Sequence, residues 1–202
     1  MLDAAALRLL RPALIALARP LVAAGIGADA ITLAGFATGI AGAAAIVADA
    51  PLAGLALLLI SRGLDGLDGT VARLTRPTDR GAFLDIALDF LFYASVPLAF
   101  ALADPTANAL AAAVLLAAFI GTGTSFLAFA ILAERRGLVP ARPDKGFHFL
   151  GGLTEGAETI ACFAAMCVFP GQFAPLALGF AALCAITAAS RLVQGWRALR
   201  DD

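Results

Sequence analysis

A chain of 202 residues, of which 61% are hydrophobic and only 14% charged, with a mean hydropathy of +0.93, departs from soluble domains, which are nearer half apolar and a quarter charged. That balance excludes an ordinary water-soluble domain and points to a membrane protein. The net charge of −1 carries no signal of a nucleic-acid partner; here the placement of the charges informs more than their sum.

The first segment, residues 1–20, carries Arg8, Arg11 and Arg19 after an early Asp3. A secretory signal has its positive charge first and then an unbroken apolar run, which this segment lacks. At about 100° per residue the arginines share one face, so an amphipathic helix lying in the membrane interface is expected. Pro12 must kink that helix or mark its start. A basic leader without helix is the competing reading. Asp29 is then expected to cap the first span.

Spanning a bilayer by helix takes about 20 mostly apolar residues. Six such stretches follow, near 30–48, 51–72, 82–103, 107–133, 149–169 and 173–196. Barrel strands would alternate apolar and polar residues, whereas Leu52–Ile60 is apolar throughout. The expected fold is therefore all-α and polytopic: six transmembrane helices in a bundle over 30–198, preceded by the interfacial helix, with 1–202 forming a single domain.

All 14 Lys and Arg residues fall to one side of these spans. They lie in the N-terminal segment, at Arg62, Arg73, Arg76 and Arg80, at Arg135, Arg136, Arg142 and Lys145, and at Arg191, Arg197 and Arg200. The opposite connections, around Asp49–Pro51, Asp104–Thr106 and Pro170–Pro175, hold no basic residue. The positive-inside rule then places both termini in the cytoplasm. Cys162, Cys167 and Cys184 include no CxxC pair and read as small buried hydrophobes. Gly35 with Gly39, and Gly152 with Gly156, form GxxxG patterns that suggest close helix contact. His148, the single histidine, reads as interfacial.

Span two is apolar until its inner half, which reads Ser61-Arg62-Gly63-Leu64-Asp65-Gly66-Leu67-Asp68-Gly69. Span three opens Gly81-Ala82-Phe83-Leu84-Asp85-Ile86-Ala87-Leu88-Asp89. Each ion deep in a membrane helix costs about 2.5–3.5 kcal/mol, so four acids need compensation. Asp65 and Asp68 are i,i+3 and Asp85 and Asp89 are i,i+4, so each pair shares a helix face. A short connection makes the two helices antiparallel neighbours, and the four carboxylates can converge on one cavity. All-oxygen ligands suit hard cations such as Mg²⁺, Mn²⁺ or Ca²⁺, and two divalent ions would balance four carboxylates. Gly66, Gly69, Ala72 and Gly81 remove side-chain bulk, while Arg73 and Arg76 sit at the mouth; metal, arginine and open backbone together suit phosphate. A cluster of structural ion pairs, such as Arg62 with Asp65, is the competing reading, disfavoured because acids outnumber nearby bases.

Written as Asp65-x2-Asp68-Gly69-x2-Ala72-Arg73-x7-Gly81-x3-Asp85-x3-Asp89, this run resembles the signature of the CDP-alcohol phosphotransferase family, filling all eight positions over 25 residues. The resemblance implies transfer of a phosphatidyl group from CDP-diacylglycerol to an alcohol hydroxyl, with release of CMP, by a homodimer of the cytoplasmic membrane. It implies that Asp65, Asp68 and Asp85 hold divalent metal, Mg²⁺ or Mn²⁺ in two ions. Asp89 is then the general base and touches the second ion. Gly69, Ala72, Arg73 and Gly81 bind the CDP moiety.

The acceptor stays open. The resemblance implies that branches using inositol phosphate carry a basic residue near the start of span five. This chain offers Thr154, Glu155 and Glu158 there. These side chains either bind a neutral or cationic alcohol or pair with Arg135, Arg136 or Lys145. Arg135, Arg136, Arg142 and Lys145 also leave a phosphate site open, so glycerol 3-phosphate remains a candidate. Thr122, Thr124 and Ser125 either line the cavity or bond their own helix. A divalent-cation transporter is the alternative function, but it would favour acids at the bilayer midplane and an internal repeat. An Asp-rich prenyltransferase fits the motif poorly.

Overall fold

The structure is a computed structural model that describes residues 2–137 and 154–199, with only the backbone of residues 2–10. Its described residues form seven α-helices and one 3₁₀ turn, with no strand among them. The helices are α1 (Leu2–Ala23), α2 (Ala28–Val47), α3 (Pro51–Leu74), α4 (Asp79–Ala103), α5 (Pro105–Arg135), α6 (Gly156–Val168) and α7 (Phe173–Ala198). His148, Arg142, Lys145 and Gly152 lie outside the described residues.

The helix ends follow local chemistry. Pro51 and Pro105 sit at the first positions of α3 and α5, where a missing N–H costs nothing and the ring presets φ. Thr78 caps α4 by accepting the Gly81 N–H at 3.1 Å, and Asp104 caps α5 by accepting the Ala107 N–H at 3.0 Å. With only Asp104 between them, α4 and α5 must turn back on each other. The expectation for Asp29 needs correcting: Gly27 occupies the cap position and Asp29 the first turn of α2. There its charge suits the helix dipole, and its carboxylate takes two hydrogen bonds from Arg80, at 2.9 and 2.6 Å.

Helices α2 and α3 pack most extensively, followed by α5 with α7, while α4 bridges α2 and α5. The α2–α3 seam depends on glycine. A Cβ on Gly39 would stand 2.5 Å from the Phe92 ring and 2.9 Å from Ser61 Oγ, so only a bare backbone lets α2, α3 and α4 approach this closely. The main core joins Leu58, Phe92, Leu115, Phe163, Met166 and Phe173, all 2% exposed or less, and Phe100 stacks on Phe173 at 4.6 Å. A second cluster seats α1 on α3 through Ala18, Leu67 and Val71, with Leu14, Leu21 and Val22 alongside. Pro12 and Pro20 lie inside α1, and the exposed Arg11 and Arg19 face away from that contact.

Among the described residues, four segments are long and apolar enough to cross a membrane, Ala28–Val47, Asp79–Ala103, Pro105–Arg135 and Pro170–Ala198. Helix α3 has the length, but Arg62, Asp65, Asp68 and Arg73 interrupt its apolar run. Helix α6 is 13 residues, about 20 Å, and shorter than the roughly 30 Å hydrocarbon layer. Six spans therefore exceed what helix length and composition alone establish.

Candidate active site

Asp65, Asp68, Asp85 and Asp89 line one small cavity together with Thr32, Gly35 and Arg62. Its volume of about 10 Å³ is room for roughly one atom-sized guest. Helical spacing produces this: α3 presents one acid pair and α4 the other, and the turn at residues 75–78 returns α4 alongside. The acids differ in environment. Asp68 is 5% exposed and accepts a 2.6 Å hydrogen bond from the Thr32 hydroxyl of α2. Asp65 and Asp89 are half-buried, and Asp85 is exposed.

Arg62 sits among them. Its Nη1 donates to Asp65 Oδ1 at 3.2 Å and to Asp89 Oδ1 at 2.5 Å. Its guanidinium lies over the Phe92 ring, 3.7 Å from the centroid, with Tyr93 at 5.7 Å. The ion pair weighed as a competitor to ligand binding is thus present, and it extends to Asp89. One guanidinium faces four carboxylates, which leaves the cavity strongly acidic. Among the described residues no three acids, histidines or cysteines are gathered into a ready-made cage; Arg62 bonds Asp65 and Asp89, and Thr32 bonds Asp68. The donor chemistry nevertheless fits a hard cation: four carboxylates around an atom-sized space, with a charge deficit no side chain in it covers.

The small residues of the run flank the acids. A Cβ on Gly81 would meet Thr78 Oγ1 at 3.1 Å and Asp29 Oδ1 at 3.2 Å, so glycine there keeps the α4 cap and the Asp29–Arg80 pair intact. Gly69 stands beside Arg73, whose Nη2 donates to Thr70 Oγ1 at 3.1 Å. Ala72 is half-buried and Arg73 is exposed.

A second, larger cavity of about 850 Å³ adjoins the acids and is walled by α1 and α3–α7. Asp65, Asp89 and Arg62 line both cavities. Its lining also includes Thr154, Glu155 and Arg191. Thr154 bonds to the buried Thr187, its N–H donating to Thr187 Oγ1 at 3.2 Å and the two hydroxyls lying 3.0 Å apart. Glu155 and Glu158 form a capping box at the start of α6, in which Glu158 accepts the Glu155 N–H at 3.1 Å and Glu155 accepts the N–H of Glu158. Glu158 thus orders the helix start and does not line the cavity among its described walls. Thr122 also lines it; Thr124 and Ser125 bond to backbone carbonyls of their own helix. Cys184 lies in the wall, and all three cysteines are free. Sequence reasoning missed Thr32 and Arg191. Arg191 is 7% exposed and donates to the Thr122 carbonyl at 3.2 Å; its place as a charged residue within the apolar run 173–196 was the available signal.

Fold and cavities together define an all-helical protein with long apolar helices and a carboxylate cluster set against a large ligand-sized space. More specifically, the CDP-alcohol phosphatidyltransferase family model matches residues 25–193, and the chain belongs to that family. The inner membrane protein YnjF of Escherichia coli is 48% identical over 193 residues, spanning 95% of this chain and 94% of that one. Archaetidylinositol phosphate synthase of Methanothermobacter thermautotrophicus is 48% identical over 65 residues, 32% of this chain and 33% of its own. Phosphatidylinositol phosphate synthase of Mycobacterium tuberculosis with CDP-DAG bound superposes with a TM-score of 0.75 at 21% identity, covering 94% of this chain and 98% of that one. The same enzyme with manganese and citrate gives 0.75 at 22% identity, covering 94% and 93%. At that identity the likeness is one of fold.

Proposed function

We propose that the chain transfers the phosphatidyl group of CDP-diacylglycerol to the hydroxyl of a small polar alcohol and releases CMP, using divalent metal. The observation that carries this reading is the shared wall of the two cavities: Asp65 and Asp89 face the acid cluster on one side and the large space on the other. CDP-DAG and manganese in the M. tuberculosis relative's structures support the donor and the metal.

In this reading Asp65, Asp68 and Asp85, with Asp89 beside them, would hold divalent metal, Mg²⁺ or Mn²⁺. Bound metal supplies Lewis acidity to the pyrophosphate and offsets charge gained by the leaving group. Gly69, Ala72 and Gly81 leave room for the cytidine nucleotide, and Arg73 meets its phosphates. The acceptor oxygen attacks the lipid-side phosphorus. A new P–O bond forms, the bond to the CMP oxygen breaks with its electron pair, and Asp89 takes the hydroxyl proton. Thr154 and Glu155 bound the acceptor end, with Glu158 acting only through the helix start. One membrane domain spans residues 1–202, with six crossings that include α3 and α6, α1 in the interface, and both termini and the site facing the cytoplasm. Homology to YnjF supports an inner-membrane location. The chain works as a homodimer.

The test is lipid-product analysis with purified protein, CDP-diacylglycerol, Mg²⁺ or Mn²⁺ and a panel of glycerol, inositol, serine, ethanolamine and the phosphates of glycerol and inositol. A metal-dependent phosphatidyl product with at least one alcohol is expected. Absence of product with all of them would sink the reading.

A further inference from the structure

Arg62 is not part of the eight-position run, yet it touches two of its four acids. An arginine within a membrane helix costs about 2.5–3.5 kcal/mol, and its side chain here is only 15% exposed. Its position is fixed from several sides. The guanidinium lies over Phe92, which is fully buried, and that ring is seated against the bare backbone of Gly39. Its Nη2 lies 3.4 Å from Ser61 Oγ. Turning away would forfeit the ring, the hydroxyl and both carboxylates at once.

Resting on the proposed transfer, we propose that Arg62 is a positioning residue for the reaction. It holds the Asp65 and Asp89 carboxylates on one guanidinium nitrogen, in the wall between the two cavities, so that Asp89 is aimed at the acceptor hydroxyl. The planar, delocalised cation suits this role because it can stack on Phe92 and bond to both acids at once; an ammonium has no such face. Misplacing a base by about 1 Å costs on the order of 100-fold in rate.

The experiment uses full-length protein in nanodiscs as wild type, R62K and R62M. It reads CMP release with CDP-diacylglycerol and the panel alcohol of fastest wild-type turnover, and Mn²⁺ binding by EPR. Expected for R62M are a kcat lower by about 100-fold, a KM for CDP-diacylglycerol within about threefold of wild type, and retained Mn²⁺ binding. R62K recovers to within roughly tenfold of wild type. An R62M kcat within about threefold of wild type, or a loss expressed in KM alone, overturns the proposal. Loss of Mn²⁺ binding together with turnover also overturns it, because Arg62 would then be a general prop. If R62M does not fold, R62K carries the test: a kcat roughly three- to tenfold down at unchanged KM is expected, and a wild-type kcat overturns the proposal. No CMP release by the wild type would instead overturn the transfer reading, and this inference with it.

Discussion

The acids of the cluster are not held alike: Arg62 bonds both Asp65 and Asp89, while Thr32 bonds Asp68, and that sets what each substitution does. Asp68 depends on Thr32, whose hydroxyl fixes one carboxylate oxygen at 2.6 Å. Partners of this kind orient metal ligands, and their loss costs about 10–100-fold in metal affinity. Thr32→Val is accordingly expected to weaken Mn²⁺ binding by about tenfold, read by EPR titration; an unchanged affinity would mean that Asp68 needs no orienting partner. The acids themselves were legible in the sequence because their i,i+3 and i,i+4 spacings are local to one helix. Thr32 was not, since it reaches Asp68 across 36 positions of chain. The capping role of Glu158 was hidden for another reason. Capping boxes are usually recognised by Ser or Thr at the cap, and here Glu155 stands there.

Between elements, the support of the site runs through Gly39. Helix α2 approaches α3 and α4 where it lacks a side chain, and the Phe92 ring that fills the space carries Arg62. Gly39→Ala must displace that ring. It should cost about 1–3 kcal/mol as overpacking, read by thermal unfolding in detergent, and lower turnover with it. Stability and turnover equal to wild type would show that the ring relaxes freely. Most helix positions were legible from apolar runs alone: α3 and α7 start at the expected residues, and the other described bounds of α2, α4 and α5 differ by three residues or fewer. Helix α6 is the exception. Of its expected run from 149, residues 149–153 lie outside the described residues, and residues 154 and 155 precede the helix, which begins at Gly156 behind its capping box.

For the whole molecule, the six-crossing arrangement requires every basic connection on one side. Arg76 lies between α3 and α4, and Gly171 lies in the 3₁₀ turn before α7. Cysteines introduced as Arg76→Cys and Gly171→Cys should react with a membrane-impermeant maleimide from opposite faces, Arg76→Cys from the cytoplasmic one. Labelling of both from the same face would contradict the six-crossing arrangement.

The central claim is that the run from Asp65 to Asp89 performs phosphatidyl transfer with Asp89 as base. CMP release from CDP-diacylglycerol, measured for the wild type and Asp89→Asn side by side across the alcohol panel, tests it most directly. Metal-dependent release by the wild type and abolished release by Asp89→Asn are expected, with CDP-diacylglycerol binding largely spared. Release by Asp89→Asn at the wild-type rate, or none from the wild type with any alcohol, would contradict it.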